Sequence, residues 1–106
     1  MDAMDKNNLE DQTENNKLND LISDLISDLK YRQLAWACRR GMLELDIILM
    51  RYLENFYPKA TQEEKETFEY LLTQQDQDLF NWLIKKQACP DIKLLALVDF
   101  FNQGFS

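Results

Sequence analysis

Residues 34–56 read LAWACRRGMLELDIILMRYLENF, and this stretch decides the fold. Apolar side chains recur at helical spacing on both sides of Gly41, and glycine can take the positive φ that ends a helix without a steric penalty. The segment therefore predicts a first helix that ends near residue 39 and a second that begins near Met42. Apolar residues are so dense in the second helix that we expect more than one of its faces to be buried, as in the central helix of a bundle. Pro58 is predicted to stop this helix.

An apolar stripe precedes this stretch. Six aliphatic residues recur three and four positions apart between Leu18 and Leu29, which predicts an extended first helix over residues 17–39. Residues 1–16 lack such a face and cannot repay the entropy of ordering, so we expect a disordered, acidic and Asn-rich tail. Three interpretations of the stripe stay open: it only lengthens the first helix, it docks on the bundle, or it mediates self-association.

Three further helices are predicted after Pro58, each from apolar residues at helical spacing. Their expected limits are a capping box at Thr61–Glu64 with an end near Gln74, an N-cap at Asp76 with an end at Lys85–Lys86, and a last helix over residues 92–101 that frays at Gly104. The fold class is therefore all-α, a small five-helix bundle that forms one domain over residues 17–106. The large apolar residues expected in its core include Trp36, Leu79, Phe80, Trp82, Leu83, Phe100 and Phe101.

The composition excludes several classes of function. The 106 residues include 12 basic and 19 acidic side chains and no histidine, which excludes His-based triads, His-based zinc sites and His proton shuttles. The net charge of −7 repels phosphate groups, which argues against a nucleic-acid partner. No stretch approaches the roughly 18 apolar residues of a membrane span, so no membrane insertion is expected. Cys38 and Cys89 form no Cys-x-x-Cys pair and are expected to be buried free thiols of a cytosolic protein.

The carboxylates indicate neither a metal site nor a catalytic site. Asp20, Asp24 and Asp28 share one face of the first helix, but a solvated acidic stripe is the ordinary interpretation, because cation sites also recruit loop carbonyls. An enzyme that used carboxylates alone would need two acids with raised pKa values in one cleft. No convincing acid–base pair is present, and we predict that the protein is not an enzyme.

The predicted corner is the strongest candidate for a binding site. Arg40 and Glu44 stand on either side of Gly41, so a positive group, a negative group and bare backbone come together on one edge. Such an edge suits the docking of another protein. The alternative is an ordinary helix–helix corner held by an internal Arg40–Glu44 ion pair.

Two segments carry a resemblance to a known family. Trp36-Ala-Cys-Arg-Arg-Gly-Met42, followed by Glu44-Leu-Asp-Ile47, and later Asp78-Leu-Phe-Asn-Trp-Leu83, resemble the succinate dehydrogenase flavinylation factors, also called FAD assembly factors. The resemblance extends over roughly residues 31–101 and is of the bacterial type. The segment 17–30 precedes the part that resembles the family.

The resemblance implies a five-helix protein that is not an enzyme. Members bind the flavoprotein subunit of succinate dehydrogenase or fumarate reductase and promote covalent attachment of FAD to a histidine of that subunit. The family's Arg-Gly-x-x-Glu motif corresponds to Arg40, Gly41 and Glu44, with Arg39 and Asp46 at the edge of the same partner-binding surface. We expect no stably bound FAD, because no Gly-rich phosphate loop is present, and we expect a monomer in the bacterial cytoplasm.

A function of a different class stays open. The chain would then be a helical regulatory protein, such as an antitoxin-like or inhibitory module, with no role in cofactor attachment. Substitution of Gly41 or Glu44 separates the two readings, because only the first makes flavin attachment depend on these residues.

Overall fold

The computed structural model describes the backbone of residues 2–104 and the side chains of residues 17–104, and this part of the chain contains helices and no strands. The helices are α1 (Asp2–Ala37), α2 (Leu43–Asn55), α3 (Gln62–Leu71), α4 (Asp76–Leu83) and α5 (Leu95–Asn102), with a 3-10 turn, Tyr57–Lys59, between α2 and α3. The prediction of an all-α fold with five helices and an extended first helix is confirmed. The prediction of a disordered tail falls on residues 1–16, whose side chains lie outside the part that the structure describes. It stays a prediction.

Packing divides the chain into two units, residues 1–33 and residues 34–106. The first unit consists of α1 as far as Gln33, and its aliphatic stripe is exposed. The second unit contains the last turn of α1 and all later helices. From the sequence, one domain was predicted over residues 17–106, with its boundary after residue 16 rather than after residue 33.

The core of the second unit is apolar and centred on aromatic rings. Tyr52 on α2 stacks on Phe68 of α3, with ring centroids 4.6 Å apart, and lies 5.3 Å from the ring of Phe101 on α5. Tyr52 itself is 4% exposed. Among the described residues, none of the buried side chains is charged or of a polar type such as serine, asparagine or glutamine. Fully buried leucines from α2, α3 and α4 surround these rings: Leu45, Leu49, Leu53, Leu71 and Leu79.

Most local signals of the sequence place the helices correctly. Thr61 Oγ1 accepts a hydrogen bond from the amide of Glu64 at 3.2 Å, and the Glu64 carboxylate accepts one from the amide of Thr61 at 2.8 Å, which confirms the capping box. The second helix ends at Asn55, three residues before Pro58, whose nitrogen carries no hydrogen to continue the helical hydrogen bonds. Pro58 itself lies in the 3-10 turn.

The predicted N-cap of α4 was wrong. Gln75 is the N-cap and makes no side-chain capping bond, while Asp76 is the first residue of the helix. The Asp76 carboxylate accepts a hydrogen bond from Arg40 instead of capping the helix. The helices α1, α3 and α4 also end two or three residues before their predicted last residues, at Ala37, Leu71 and Leu83.

The burial of apolar residues differs from expectation in three places. Only one face of α2 is buried, because Leu43 is 76% exposed and Ile47 is 42% exposed. Trp36 was expected in the core and is 72% exposed. Ile92 lies ahead of α5 and is exposed, because the fifth helix begins at Leu95 rather than residue 92.

The other core predictions hold for most of the named residues. Leu79, Trp82, Leu83 and Phe101 are buried as expected. Two neighbours, Phe80 and Phe100, are only half-buried. Across the described part of the chain, no helix combines the length and the apolarity that crossing a membrane requires.

Candidate functional site

The corner between α1 and α2 is fixed from within the chain. Gly41 has a φ of +80°, the left-handed backbone that the sequence predicted there. The Asp46 carboxylate accepts hydrogen bonds from two successive corner amides, from Arg40 N at 2.7 Å and from Gly41 N at 3.3 Å. One carboxylate from the first turn of α2 therefore satisfies donors that the turn leaves without helical partners.

The Arg40 side chain points into the protein rather than out of it. The side chain is 13% exposed, and its guanidinium lies 3.0 Å from the Asp76 carboxylate. Its Nε donates to the carbonyl of Ala37 at 2.8 Å, and its Nη1 donates to the carbonyl of Gln74 at 3.0 Å. Its Nη2 donates to the carbonyl of Leu72. The proposed alternative of an internal Arg40–Glu44 pair is wrong, because Arg40 pairs with Asp76.

These contacts satisfy groups that helix ends leave open. The last carbonyls of α3 have no intrahelical partner, and a cation there also suits the negative pole of the helix. An acid in the first turn of α4 suits the positive pole of that helix. Arg40 therefore joins the end of α1, the end of α3 and the start of α4, which holds the corner in one shape.

The thiol beside the corner is chemically inert at neutral pH. Cys38 is fully buried immediately after α1. Burial raises the pKa of Cys38 to about 12, although the nearby Arg40 lowers it and Asp46 raises it further. Because the thiolate is the nucleophile, a thiol with this pKa supplies no covalent catalysis. The prediction of buried free cysteines is confirmed for both Cys38 and Cys89.

Exposed side chains lie on both sides of this fixed corner. The Arg39 guanidinium lies over the ring of the exposed Trp36, 5.5 Å from its centroid. On α2, Leu43 and Glu44 are exposed next to the exposed Gly41. We call these five residues, Trp36, Arg39, Gly41, Leu43 and Glu44, the corner surface.

Of the sequence-predicted site residues, three belong to this surface and two do not. Arg39, Gly41 and Glu44 are exposed, and the Glu44 side chain makes no hydrogen bond or ion pair within the described part of the chain. Arg40 and Asp46 are half-buried and serve the corner's internal hydrogen bonds. The structure therefore separates residues that shape the corner from residues that face outward.

The two apolar members of the corner surface were not predicted from the sequence, although helical spacing contains the signal. Trp36 is two positions from both Leu34 and Cys38, which are buried, so it lies about 200° around the helix from each. Leu43 stands in the same relation to the buried Leu45. Large apolar residues on the face opposite the core are the expected signature of a protein contact.

A groove on another part of the second unit offers no catalytic arrangement. It has a volume of about 610 Å³ and lies between the end of α2, the start of α3 and α5. Its two carboxylates, Glu63 and Glu64, are both exposed, and Glu64 is used in the capping box. The residues that the structure describes also contain no cluster of three or more side chains able to hold a metal ion.

Comparison with known proteins supplies a family for residues 32–103. These residues match the family described as flavinator of succinate dehydrogenase. The matched segment contains the whole corner surface and helices α2 to α5. It begins after the last residue of the aliphatic stripe at Leu29. No solved structure matches the chain.

Several curated bacterial proteins are similar over the same part of the chain. The chain is 42% identical over 69 residues to the FAD assembly factor SdhE of Idiomarina loihiensis, which covers 65% of this chain and 77% of that protein. It is 43% identical over 67 residues to the protein of the same name from Colwellia psychrerythraea, covering 63% and 74%. The corresponding protein of Vibrio cholerae is 42% identical over 67 residues, covering 63% and 78%.

Proposed function

The chain belongs to the flavinator of succinate dehydrogenase family, and from this membership we propose that its corner surface binds the flavoprotein subunit of succinate dehydrogenase and promotes covalent attachment of FAD to that subunit. The family is one of assembly factors rather than enzymes, and its role lies in the flavinylation of succinate dehydrogenase. The flavoprotein of fumarate reductase is a second client within the same proposal.

One observation carries the assignment of the binding surface. The two helix ends that meet at the corner expose large apolar side chains, Trp36 and Leu43, in the segment that matches the family. Exposed apolar residues beside charged ones are typical of the centre of a protein interface, where a tryptophan or an arginine contributes much of the affinity. The charges here are those of Arg39 and Glu44.

The corner is shaped before a partner arrives. Arg40 and Asp46 fix its backbone, because Asp46 accepts hydrogen bonds from two corner amides and the Arg40 guanidinium donates to the segment 72–76. A preshaped surface binds without the entropy cost of ordering a loop. Beside Gly41 a Cβ would meet no atom within 4 Å, so the backbone there is open to close approach by a partner.

The proposed mechanism requires no reactive group on this protein. The family resemblance places the covalent bond between the flavin and a histidine of the client, so both reacting groups lie outside this chain. The factor stabilises a client conformation that holds them in a reactive arrangement. The shift toward that conformation is bounded by the difference in the factor's affinity for the two client states.

We also propose that the chain does not hold FAD stably and acts in the cytoplasm. Its two glycines, Gly41 and Gly104, are far apart, so the sequence offers no Gly-rich loop for a pyrophosphate. Two buried free thiols are typical of a reducing compartment. Titration of FAD fluorescence with the purified protein tests the first statement, and saturable quenching at micromolar protein would contradict it.

Substitution of Gly41 tests the proposed function, and the chain supplies a matched control. Gly41→Arg places a large side chain in the open space at the corner, while Gly104→Arg introduces one at the other positive-φ glycine, where a Cβ is equally unhindered. Both variants incur a similar backbone strain of about 1–2 kcal/mol. Each is co-expressed with the flavoprotein subunit in cells that lack their own assembly factor, and covalent flavin is measured by fluorescence of the denatured band.

We expect Gly41→Arg to lower covalent flavin about tenfold or more, and Gly104→Arg to leave it near wild type. Glu44→Gln should also lower it, whereas Glu54→Gln changes an exposed acid at the far end of the same helix and should not. Equal activity of all four folded variants would contradict the corner assignment. If the wild-type chain itself gives no gain in flavin, the regulatory reading replaces the assembly function.

A further inference from the structure

Among the described residues of the first unit, none covers its aliphatic stripe. Its six members are each between 50% and 62% exposed: Leu18, Leu21, Ile22, Leu25, Ile26 and Leu29. They lie within twelve residues of helix α1. On a helical projection they form one arc about 140° wide. So much contiguous aliphatic surface in one short segment marks a contact surface rather than scattered exposure.

The order of residue types within the stripe fits a parallel two-stranded coiled coil. The spacings from Leu18 to Ile22, Leu25 and Leu29 are four, three and four, which is the alternation of d and a positions. Leucine then occupies both d positions, and the a positions hold the β-branched Ile22 and Leu29. Leucine at d with a β-branched residue at a favours parallel dimers.

The two remaining members of the stripe support the same register. Leu21 falls at a g position and Ile26 at the following e position. In a parallel pair a g residue of one helix packs beside the e residue of the next heptad in the other helix. Leu21 of one copy would therefore meet Ile26 of the second copy on both flanks of the seam, and all six aliphatic side chains would be covered.

The charges of this segment lie where a second copy would not oppose them. Asp20 and Asp24 project from the side of the helix away from the stripe, together with Ser23 and Ser27. Asp28, at the edge of the stripe, forms an ion pair with Arg32 at 3.2 Å within its own helix. The seam itself contains no charged side chain before Arg32, so it is complementary to a copy of itself.

We propose that residues 18–29 of two copies of this chain pair as a short parallel coiled coil. The surface lies outside the segment that matches the family, so the proposal goes beyond the proposed function and does not depend on it. Of the three interpretations of the stripe that the sequence left open, this proposal corresponds to self-association. It also replaces the sequence-based expectation of a monomer.

The size of the seam sets the expected affinity. Twelve half-exposed aliphatic side chains from two copies amount to roughly 1,000 Å² of apolar surface, below the total area of a standard stable interface. We therefore expect a dissociation constant of roughly 1–100 μM rather than a permanent dimer. Each copy carries a net charge of −7, so repulsion opposes pairing and added salt should tighten it.

The direction in which salt changes the affinity distinguishes pairing with a second copy of this chain from docking on a basic partner. Docking of the acidic segment on a positively charged surface would weaken as salt rises, because screening removes an attraction. Pairing of two acidic copies should strengthen, because screening removes a repulsion. Between about 50 and 500 mM salt we expect the dimer constant to tighten by about threefold or more.

Sedimentation equilibrium of the full chain between about 5 and 300 μM tests the proposal. The wild-type mass should rise from the monomer value of 12.6 kDa toward twice that value. Ile22→Asp with Leu25→Asp should weaken the dimer about 100-fold or more, because both charges enter the seam. Ser23→Asp with Ser27→Asp adds the same charge on the opposite face and should change it less than about threefold.

A milder pair of substitutions keeps the test valid if the aspartates unfold the helix. Ile22→Ala with Leu25→Ala retains high helix propensity and should still weaken the dimer about tenfold or more. Far-ultraviolet circular dichroism checks the helix in every variant. A wild-type chain that stays monomeric to about 300 μM overturns the proposal, as does a dimer that survives both seam variants.

A single cysteine tests the parallel orientation. Leu29→Cys places a thiol at an a position near the end of the seam, where parallel partners bring the two copies of residue 29 together. Mild oxidation should then give a disulfide-linked dimer, while the wild-type thiols, which are both buried, should not react. Dimers that cannot be cross-linked at this position would overturn the parallel arrangement.

Discussion

Arg40 shows that a residue predicted from the sequence to bind a partner can act on the inside of a protein. Its guanidinium reaches carbonyls of Leu72 and Gln74, more than thirty positions away along the chain. A guanidinium has five N–H donors in a planar fork, and here four hydrogen bonds use that geometry. The charge that the sequence suggested for a partner is therefore largely used to hold the corner.

Truncation of the Arg40 side chain should lower the stability of the fold, because its contacts are internal rather than with a partner. Arg40→Ala leaves several half-buried carbonyls without donors, so we expect the free energy of unfolding to fall by about 2–4 kcal/mol. Arg40→Lys should recover less than half of the loss, because an ammonium cannot reproduce the planar fork. Urea denaturation followed by circular dichroism measures both variants.

The neighbouring arginine provides the control for this prediction. Arg39 is exposed, and the one side-chain contact that the structure shows for it is with the Trp36 ring, so Arg39→Ala should change stability by less than about 1 kcal/mol. Equal losses for the Arg39 and Arg40 variants would contradict the division between an internal and an outward-facing arginine.

The sequence could predict which residues stand at the corner but not where each side chain points. The positive φ of Gly41 follows from local chain geometry, and it was predicted correctly. The direction of Arg40 depends on Asp76 and on the end of α3, which only the folded chain brings near. Trp36 was misplaced for a different reason, since its hydrophobicity was weighted above its position opposite Leu34 and Cys38.

At the scale of the element, helix starts with complete local signals were the most predictable. The capping box of α3 uses only Thr61 and Glu64, which are three positions apart. The start of α4 was mispredicted because Asp76 is used by a residue from a distant part of the chain. The local sequence therefore determines where a helix starts when the capping side chains are a few residues apart. Tertiary contacts determine the start when those side chains bind distant parts of the chain.

Removal of the capping hydroxyl should destabilise the protein measurably. Thr61→Ala deletes the acceptor for the Glu64 amide, so we expect a loss of about 1 kcal/mol in the free energy of unfolding. Thr67→Ala is the matched control, because the Thr67 hydroxyl donates only to the Glu63 carbonyl of its own helix and alanine is a better helix former. Thermal denaturation of both variants would refute the assignment if their midpoints fell equally.

At the scale of the whole molecule, the described groups with a shifted pKa are mostly tyrosines and cysteines whose pKa is raised, so the stability that they contribute is lost as pH rises. Burial and a 2.6 Å hydrogen bond to Glu69 raise the pKa of Tyr57, and a hydrogen bond to Asp91 raises the pKa of Tyr70. On the acid side, the same hydrogen bond from Tyr70 lowers the pKa of Asp91. The stability from Asp91 is present above its unfolded pKa of 3.8 and is lost only as pH falls through its lower folded value.

Cys38 adds the clearest alkaline contribution. Its pKa is 9.0 when exposed and rises to about 12 in the folded protein, chiefly because the thiol is buried. Between these values the unfolded chain loses its thiol proton while the folded chain keeps it, so the stability falls as pH rises. A single such group changes the free energy of unfolding by at most about 1.4 kcal/mol per pH unit.

Cys38→Ala should therefore flatten the alkaline decline of stability while leaving its value near pH 7 within about 1–2 kcal/mol of wild type. Urea unfolding at intervals from pH 8 to pH 11 gives the slope for each variant. Cys89→Ala should flatten it less, since a backbone hydrogen bond at Asp91 lowers the pKa of Cys89 and so opposes the effect of burial on it. Parallel curves for wild type and Cys38→Ala would show that the corner thiol titrates freely, and hence that the corner opens in the folded protein before the core does.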